Sequence, residues 1–471
     1  MPRFRFVYNL KKDTSDAGFR ERIRPSAYLL APNNATRQLR AAAAALRHDG
    51  LDLYADNGNY EIIGKVMNKH IAASKTLFEL LQKEQKRLGR TLRGPELPAS
   101  LRAGYIALAN ASLADVSTST RPYERIAAAQ LLLNPNCVIG VEDPTMAVWI
   151  GLGIEPDYLK KPRSFYSGLN ERVVAAALRA AALLPSEVQR HYYPVASAMS
   201  YDTAFDAGKA FAGAAIPRVS MGFGAFMSDD HYTDCLEIGG KMVKLGMNVP
   251  KRYVRTVAVS KAFWKGYGDM GKCPDAFHFL GLGAPIIIPV VGLCAWKTSD
   301  LSFDATSPIK DAIQGFLYTS QPAYMKARTY NIAFHLASGK FGSWDCPCPF
   351  CTEFVKKHPF AYRLGRTWFA KQTRSSVVTP DLRPSGGLYK AYPLLSEPSG
   401  GVLRGEVNYA RIGHNHWVIG GIFADMQKNA TSLSRFTKYV RKVVDDYMKA
   451  TNSKMYANAM NFVYSLAVGE D

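Results

Sequence analysis

Short apolar segments alternate with longer stretches of helical character through most of the first 305 residues, and this alternation limits the possible folds more than any other feature. It is typical of parallel βαβ units, in which each strand returns to the sheet through a helix. The segments predicted as strands are Ala27–Ala31, Leu51–Ala55, Cys137–Glu142, Tyr192–Ala198, Val219–Phe223, Val254–Val259, Phe277–Leu282 and Leu301–Ala305. Eight such units favour an α/β fold with a closed (β/α)8 TIM barrel; an open doubly wound sheet is the alternative, because a strand count does not determine closure.

Two regions extend this barrel. Residues 60–136 separate the second and third predicted strands and include a charged helical stretch. Such an insertion follows the carboxyl end of a strand, which is the face where barrel enzymes carry their active sites. We therefore predict a catalytic barrel domain over residues 1–310, with the insertion near its active site, and a C-terminal region over residues 311–471 that contains a cysteine cluster.

The composition excludes several classes of protein. Hydrophobic residues make up 47% of the 471 residues and charged residues only 21%, which excludes an intrinsically disordered chain. The sequence contains neither an apolar run long enough to cross a membrane nor a recognisable secretory signal. The seven cysteines are an odd number, which argues against a disulfide framework and for a reducing compartment. A soluble, cytoplasmic protein is therefore expected.

The net charge predicts a polyanionic partner. With 59 Lys and Arg against 39 Asp and Glu, the formal charge is +20, and nucleic acid is the usual polyanion of a cytoplasm. The alternatives are a basic surface kept for solubility and an anionic partner protein. One stretch interleaves basic and aromatic residues, which suits phosphate contact and base stacking but also an amphipathic helix with buried rings. Its members are Lys356, Lys357, Phe360, Tyr362, Arg363, Arg366, Trp368, Phe369, Lys371 and Arg374.

Carboxylates and glycine turns follow several of the predicted strands. The acidic residues are Asp56, the pair Glu142 and Asp143, and Asp304; the glycine turns are Gly222-Phe223-Gly224 and Gly281-Leu282-Gly283. In a barrel these positions meet at one mouth. Paired carboxylates there support displacement at a sugar carbon, because one attacks the carbon while the other transfers a proton to or from the leaving group. The alternative for each residue alone is an ordinary helix cap.

The cysteine cluster is the most specific local motif. Cys346, Cys348 and Cys351 have a C-x-C-x-x-C spacing, which lets a single turn present three sulfurs to one tetrahedral zinc ion. The candidates for the fourth ligand are His358, His414 and His416. A reactive or disulfide-forming cluster is the alternative. A zinc ion with four protein ligands would be structural rather than catalytic.

These motifs together resemble the tRNA-guanine transglycosylase superfamily. The segments HFLGLGAP and LSFDATSPIKDAIQG, within residues 278–315, are similar to the glycine turn and the strand that carry the family's nucleophilic aspartate. Asp56-Asn57-Gly58-Asn59-Tyr60-Glu61 takes the place of the D-S-G-G-F-Q turn that carries its general acid/base. The cysteine motif followed by His414-Asn415 resembles the family's zinc site. The resemblance extends from residue 51 to residue 426, but it is dense only in these short motifs.

The resemblance implies a role for each candidate residue. Asp304 would be the nucleophile and Asp56 the general acid/base, while Glu142 or Asp143, with the backbone at Gly222 and Gly224, would bind the base. Cys346, Cys348, Cys351 and His414 would hold zinc, with no other cofactor. The reaction implied is exchange of guanine in a nucleic acid for a free 7-deazaguanine base through a covalent aspartyl-sugar intermediate.

The departures from the tRNA enzymes point to one branch of the superfamily. Sixty-two residues separate Cys351 from His414, Pro194–Ala198 stands where a base-reading glutamine is expected, and Ser307–Lys310 replaces an arginine-bearing loop. The chain therefore looks most like the DNA 7-deazaguanine transglycosylases of bacterial and phage DNA modification, which insert 7-cyano-7-deazaguanine or a related base. This implies a bacterial or phage-infected cell, with partner proteins of a modification system possible. The alternatives are an enzyme acting on tRNA, a noncatalytic accessory subunit, and a zinc-containing nucleic-acid-binding protein without activity.

Overall fold

The computed structural model describes residues 1–119, 123–224, 232–238, 241–319, 324–329, 332, 346–357, 394–395, 401–451 and 454–469. Within these ranges the strands are β1 (Arg3–Asn9), β2 (Ala27–Leu30), β3 (Asp52–Ala55), β4 (Cys137–Glu142), β5 (Tyr192–Ala196), β6 (Arg218–Gly222), β7 (Tyr232–Ile238), β8 (Lys241–Pro250), β9 (Ala276–Leu280), β10 (Asp300–Asp304), β11 (Phe316–Tyr318) and β12 (Lys326–Arg328).

Helices fill most of the intervals between the strands. They are α1 (Ala17–Ile23), α2 (Arg37–His48), α3 (Asn59–Leu88), α4 (Ala99–Ser119), α5 (Tyr123–Leu131), α6 (Thr145–Gly151), α7 (Pro156–Leu159), α8 (Arg163–Ala181), α9 (Ser186–Gln189), α10 (Tyr201–Gly213), α11 (Lys251–Asp269), α12 (Ile287–Cys294), α13 (Ser307–Ile313), α14 (Pro349–Lys357), α15 (Gly401–Asn429), α16 (Leu433–Ala450) and α17 (Lys454–Val468). Among the described residues, no helix is both long and apolar enough to cross a membrane.

Eight parallel strands form a closed barrel, in the order β1-β10-β9-β6-β5-β4-β3-β2. The expectation of an α/β fold with a closed barrel is thus confirmed. β7 and β8 form an antiparallel hairpin between the sixth and seventh barrel strands. Because all barrel strands run in the same direction, the residues at their carboxyl ends form a single mouth.

The strand assignment predicted from sequence is wrong at two places. Arg3–Asn9, where no strand was predicted, is the first barrel strand, and six of its seven residues are buried. Val254–Val259 lies inside helix α11 rather than in a strand. All six of its residues are buried, so this stretch of the helix is enclosed on every side and its apolar run lacks the spacing of an amphipathic helix. One strand was missed and one was wrongly predicted, so the predicted number of eight barrel strands was right although only seven of them were identified.

The segment predicted as an insertion is helical. Helices α3, α4 and α5 occupy it and follow β3, which is the third barrel strand rather than the second, since β1 had not been counted. Side chains tie α3 to α4: Lys69 Nζ lies 2.7 Å from an Asp115 carboxylate oxygen. Ser74 Oγ on α3 donates to the Leu152 carbonyl at 2.9 Å, so the long helix is also tied to the chain that follows β4.

The chain forms two compact units that are not contiguous in sequence. The first comprises residues 1–10, 25–305 and 426–471, and the second comprises residues 11–24 and 306–425. This division differs from the predicted boundary at residue 310 in assigning residues 426–471 to the barrel unit. Their contacts explain the assignment: Phe436 stacks on Phe4 at 5.2 Å, and Arg252 donates to the Tyr456 hydroxyl at 3.1 Å.

The barrel interior is polar at both ends. Alternate residues of a strand point to the same face, so Asp300, Ser302 and Asp304 of β10 all point inward. At the amino-terminal end, Arg5 lies 2.7 Å from Asp52 and 2.9 Å from Asp300, and this arginine is 8% exposed. A buried guanidinium between two carboxylates therefore joins β1, β3 and β10 at the amino-terminal end of the barrel.

Replacing Arg5 with leucine should lower the free energy of unfolding by about 3 kcal/mol, because it leaves two carboxylates facing each other without a cation. Denaturant unfolding measures the change. The double variant Arg5→Leu/Asp300→Asn should recover part of the loss, whereas Arg163→Leu, which breaks an exposed ion pair with Asp206, should cost less than about 1 kcal/mol. Equal losses for Arg5→Leu and Arg163→Leu would contradict this account.

Candidate active site and metal centre

Asp304 ends β10 and is the most enclosed carboxylate at the mouth, with 5% of its surface exposed. Asn9, at the end of β1, donates its side-chain amide to Oδ2 at 3.2 Å. The backbone N–H of Gly281 donates to Oδ1 at 3.1 Å. Gly281 has a φ of 72°, a conformation that favours glycine, so this donor depends on the glycine turn after β9.

Asp56 follows β3 and is suited to proton transfer near neutral pH. Burial raises the pKa of its carboxyl group to about 7, and the negative charge of Asp304 adds to the increase. The backbone N–H of Asn57 donates to Oδ1 at 2.8 Å and opposes the shift. A group with such a pKa can both donate and accept a proton under cellular conditions.

Glu142 reaches the mouth through an irregularity in β4. Ile139 packs in the barrel interior while Val141 packs on the outer layer, and the pairing of β4 with β5 shifts between Ile139 and Glu142. Strict alternation would instead place Val141 inside with Ile139. The shift therefore turns the Glu142 side chain toward the interior.

Two asparagine amides hold Glu142. Asn57 and Asn59 donate to its Oε2 at 3.3 and 3.2 Å. Burial raises the pKa of this carboxyl group, and the two amides oppose the increase. The Asn59 backbone N–H donates to the Asn57 side-chain oxygen at 2.9 Å, which orders the turn between β3 and α3. These neutral donors orient Glu142 through Oε2, and they do not bind its other oxygen, Oε1.

The glycine turn after β6 leaves space beside Glu142. A Cβ atom at Gly222 would lie 3.8 Å from Oε1 of Glu142. A Cβ atom at Gly281 would lie 3.1 Å from the backbone of Gly224, so the two turns pass close to each other. The Phe223 N–H donates to the Leu280 carbonyl at 2.7 Å. Backbone of both turns, rather than side chains, thus lines this part of the mouth.

Asp143 does not join the other carboxylates. Its Oδ1 accepts from the Thr145 N–H at 3.0 Å, at the start of α6, and its Oδ2 lies 3.5 Å from Arg172. The sequence analysis left the base-binding role open between Glu142 and Asp143. The Asp143 carboxylate is thus engaged by the first N–H of α6 and by Arg172, whereas Glu142 faces the mouth.

Several residues of this site were missed by the sequence analysis. Asn57 and Asn59 were quoted only as substitutions in a motif, and Asn9 lay in a strand that was not predicted. His278 was quoted as a strand residue, yet its Nε2 lies 3.3 Å from Oδ1 of Asp304. Alternation along β9 could have indicated that His278 points inward, but its neighbours come from distant parts of the chain.

The cysteine motif forms one cluster with His414. The Sγ atoms of Cys346, Cys348 and Cys351 each lie 3.4 Å from His414 Nδ1, and all four atoms lie within 4.8 Å of one another. Tetrahedral zinc with ordinary bond lengths places sulfur and nitrogen ligands about 3.6 Å apart. The four residues are therefore arranged so that they could hold a metal ion such as zinc.

Hydrogen bonds fix the orientation of the His414 ring. Its Nε2 donates to the Tyr318 carbonyl at 2.8 Å, and its Nδ1 is directed at the sulfurs. The adjacent Asn415 accepts from the Tyr318 N–H at 2.9 Å and donates to the carbonyls of Pro308 and Phe316 at 3.1 Å. The His-Asn pair thus connects the cluster of three cysteines and His414 to α13 and β11.

The other predicted ligands can now be placed. His416 is fully buried with its Nδ1 2.8 Å from the Ile412 carbonyl, and its ring packs edge-on against Phe19. It does not belong to the cluster. His358 lies outside the described residues, as does all of the stretch of basic and aromatic residues beyond Lys357. Of the two candidates that the structure describes, His414 is the one brought to the thiols.

The raised pKa of Asp56 should make the free energy of unfolding depend on pH. The folded protein binds this proton more tightly than the unfolded chain, where the pKa is about 3.8, so the free energy of unfolding falls as pH rises from about 4 to 7. Asp56→Asn removes the titration and should gain stability relative to the wild type over this window, on the order of 2 kcal/mol.

Denaturant unfolding at pH 5 and pH 8 would measure this difference. Asp49→Asn, at an exposed position after α2, is the control and should leave the pH dependence of the wild type unchanged. A difference between Asp56→Asn and the wild type that stays constant across the window would contradict the assigned pKa.

If Cys346, Cys348, Cys351 and His414 hold zinc, their substitution has outcomes that can be measured separately. Cys348→Ser and His414→Ala should each lower bound zinc from about one ion per chain to near zero and destabilise the second unit, because the binding free energy of a structural zinc is folding free energy. Metal analysis and thermal unfolding measure the two effects. Cys273→Ser and His416→Gln, outside the cluster, should retain the zinc; loss of zinc in His416→Gln alone would reassign the fourth ligand.

Comparison with known proteins adds no assignment: neither a protein-family model nor a curated protein matches this chain.

Proposed function

We propose that this protein is a pentosyltransferase that exchanges guanine in DNA for a 7-deazaguanine base, such as 7-cyano-7-deazaguanine. The single observation that carries the proposal is that buried Asp304 shares the barrel mouth with Asp56, whose pKa is raised to about 7 by burial and by the charge of Asp304. A nucleophile beside a proton-transferring carboxyl group is the arrangement that displacement at a sugar carbon requires.

The first half of the reaction removes guanine. The target nucleotide must leave the base stack, because its glycosidic bond is inaccessible within a duplex. A carboxylate oxygen of Asp304 attacks C1′ as the bond from C1′ to N9 breaks, and protonated Asp56 gives its proton to the departing base. The sugar is then held as an ester of Asp304.

The second half inserts the new base. Asp56, now ionised, accepts the proton of the incoming 7-deazaguanine at the ring nitrogen that attacks C1′. The ester bond breaks, and the electron pair returns to the Asp304 carboxylate. Two successive displacements restore the original configuration at C1′.

Recognition of the base is assigned to Glu142 and the glycine turns. The Oε1 atom of Glu142 faces the space beside Gly222 and can accept hydrogen bonds from the ring and amino N–H groups of guanine or its analogues. Asn57 and Asn59 hold the other oxygen and so direct Oε1 at the base. Backbone groups at Gly222 and Gly224 complete the slot. Asp143 supports this indirectly, by accepting from the Thr145 N–H at the start of α6, directly after Glu142.

The metal is proposed to be a structural zinc ion. Cys346, Cys348, Cys351 and His414 fill all four positions of a tetrahedral site, which leaves no position for substrate. The zinc would stabilise the second unit, and no step of base exchange depends on it. The net charge of +20 suits a nucleic-acid partner in a bacterial or phage-infected cytoplasm, where proteins of a modification system could open the duplex.

An assay with labelled guanine tests the proposal directly. The protein would be incubated with labelled guanine and duplex DNA, single-stranded DNA or bulk tRNA. Incorporation into DNA supports the proposal, and incorporation into tRNA alone supports the second candidate, the same chemistry on RNA. Nucleic-acid binding without incorporation into any of them would indicate a noncatalytic binding protein or accessory subunit and would overturn the enzymatic assignment.

Asp304→Asn should lower base exchange by at least about 1,000-fold, because the amide cannot form the sugar ester. Its thermal stability and nucleic-acid affinity should stay close to those of the wild type. The covalent complex, detected on a denaturing gel, should form with the wild type and disappear in the variant. Asp275→Asn, an exposed carboxylate at the opposite end of the barrel, is the matched control. Retained exchange in Asp304→Asn would refute the assignment of the nucleophile.

A further inference from the structure

A fully buried histidine lies beside Asp304 inside the barrel. His278 is 0% exposed and points inward from β9, where it is in register with Ser302 of β10 on one side and Ser220 of β6 on the other. Its Nδ1 lies 2.8 Å from the Ser302 hydroxyl, and its Nε2 lies 3.3 Å from Oδ1 of Asp304. Neither the proposed proton transfers nor the binding of the base uses this side chain.

The contacts determine which ring nitrogen carries the proton. An ionised carboxylate only accepts hydrogen bonds, so Nε2 must be protonated to face Asp304 without repulsion between lone pairs. In the neutral ring Nδ1 is then an acceptor, and Ser302 donates to it. In this tautomer Ser302 donates to His278, and the Nε2–H group faces Asp304.

The ring is also held in its plane. Tyr54 stacks on the imidazole with ring centres 5.3 Å apart and an angle of 27°, and Tyr193 approaches its edge at 6.4 Å. Nε2 makes no hydrogen bond of ordinary geometry to any described residue, and Asp304 Oδ1 is the acceptor it faces. Hydrogen bonds in the active site of a free enzyme are often long and shorten when substrate binds. The position of Nε2 is that of a donor prepared for the reacting carboxylate.

The two oxygens of Asp304 are consequently unequal. Oδ1 faces both the Gly281 N–H and His278 Nε2, whereas Oδ2 accepts from the Asn9 amide. Oδ2 therefore retains more free lone-pair density for attack. In the ester that forms, Oδ1 becomes the carbonyl oxygen and keeps its two donors.

We infer that His278 is a positioning residue, which directs Oδ2 of Asp304 at the sugar carbon by holding Oδ1, with Ser302 fixing its tautomer. This inference rests on the proposed base exchange and adds to it the residue that orients the nucleophile. In the first step the Oδ2–C1′ bond forms and the C1′–N9 bond breaks. In the second step the bond from C1′ to the ring nitrogen of the incoming base forms as the Oδ2–C1′ bond breaks. The returning negative charge is shared with Oδ1, which faces the Gly281 N–H and His278 Nε2.

Steady-state and single-turnover base exchange with four variants test the inference. His278→Leu removes the donor and should lower kcat about 100-fold, with KM for the nucleic acid unchanged. His278→Gln keeps an N–H donor and should recover activity to within about tenfold of the wild type. Ser302→Ala should lower kcat by about tenfold, since the tautomer is no longer fixed. Ser220→Ala, an inward serine in the same register that donates to the Tyr193 carbonyl, is the control and should behave as the wild type.

The outcomes separate this inference from the proposed function. A wild-type protein that exchanges no base in DNA or RNA overturns both. A wild-type protein that exchanges base while His278→Leu keeps its kcat overturns only the positioning role. The same conclusion follows if Gln restores no more activity than Leu, or if Ser302→Ala and Ser220→Ala are equally active. Circular dichroism and thermal unfolding identify a variant that fails to fold, and Ser302→Ala then decides the question.

Discussion

The pairing of β1 with β10 closes the barrel, and the candidate site depends on it. Five residue pairs, from Arg3 with Asp300 to Val7 with Asp304, hold the two strands in register. This register brings Asn9 to the Asp304 carboxylate at the mouth and Arg5 to Asp300 at the opposite end. Without this closure Asp304 would lie on an exposed edge strand, where water would compete for its hydrogen bonds.

The two ends of the barrel handle buried charge differently. At the amino-terminal end a guanidinium neutralises Asp52 and Asp300. At the mouth, the hydrogen bonds to Asp304 and Glu142 found in the described residues come from amides and a backbone N–H. Neutral donors orient a carboxylate without cancelling its charge. The negative field that remains helps to raise the pKa of Asp56 toward neutrality, which a nearby lysine or arginine would prevent.

How far the sequence predicted the structure depended on the range of the interactions. Local patterns identified seven of the barrel strands and the cysteine motif, because apolar runs and ligand spacing are properties of neighbouring residues. The buried strand that contains Arg5 was missed, because the two carboxylates that neutralise this arginine, Asp52 and Asp300, lie 47 and 295 residues away in sequence. The asparagines at 57 and 59 have a role only beside Glu142, more than 80 residues further on. Val254–Val259 was misread because a short apolar run fits either a strand or a buried helix.

The discontinuous course of the chain has a consequence for its synthesis. Tyr8 and Asn9 pair with Tyr28 and Leu29, which follow soon after them, but residues 3–7 pair with 300–304, and residues 11–24 belong to a unit that is otherwise made of 306–425. Neither unit can be completed while the chain is still short, and both depend on contacts of high sequence separation, which form slowly. Residues 3–7 therefore lack their β10 partner through most of translation. Until those partners are made, residues 3–7 and 11–24 are exposed to misfolding and proteolysis.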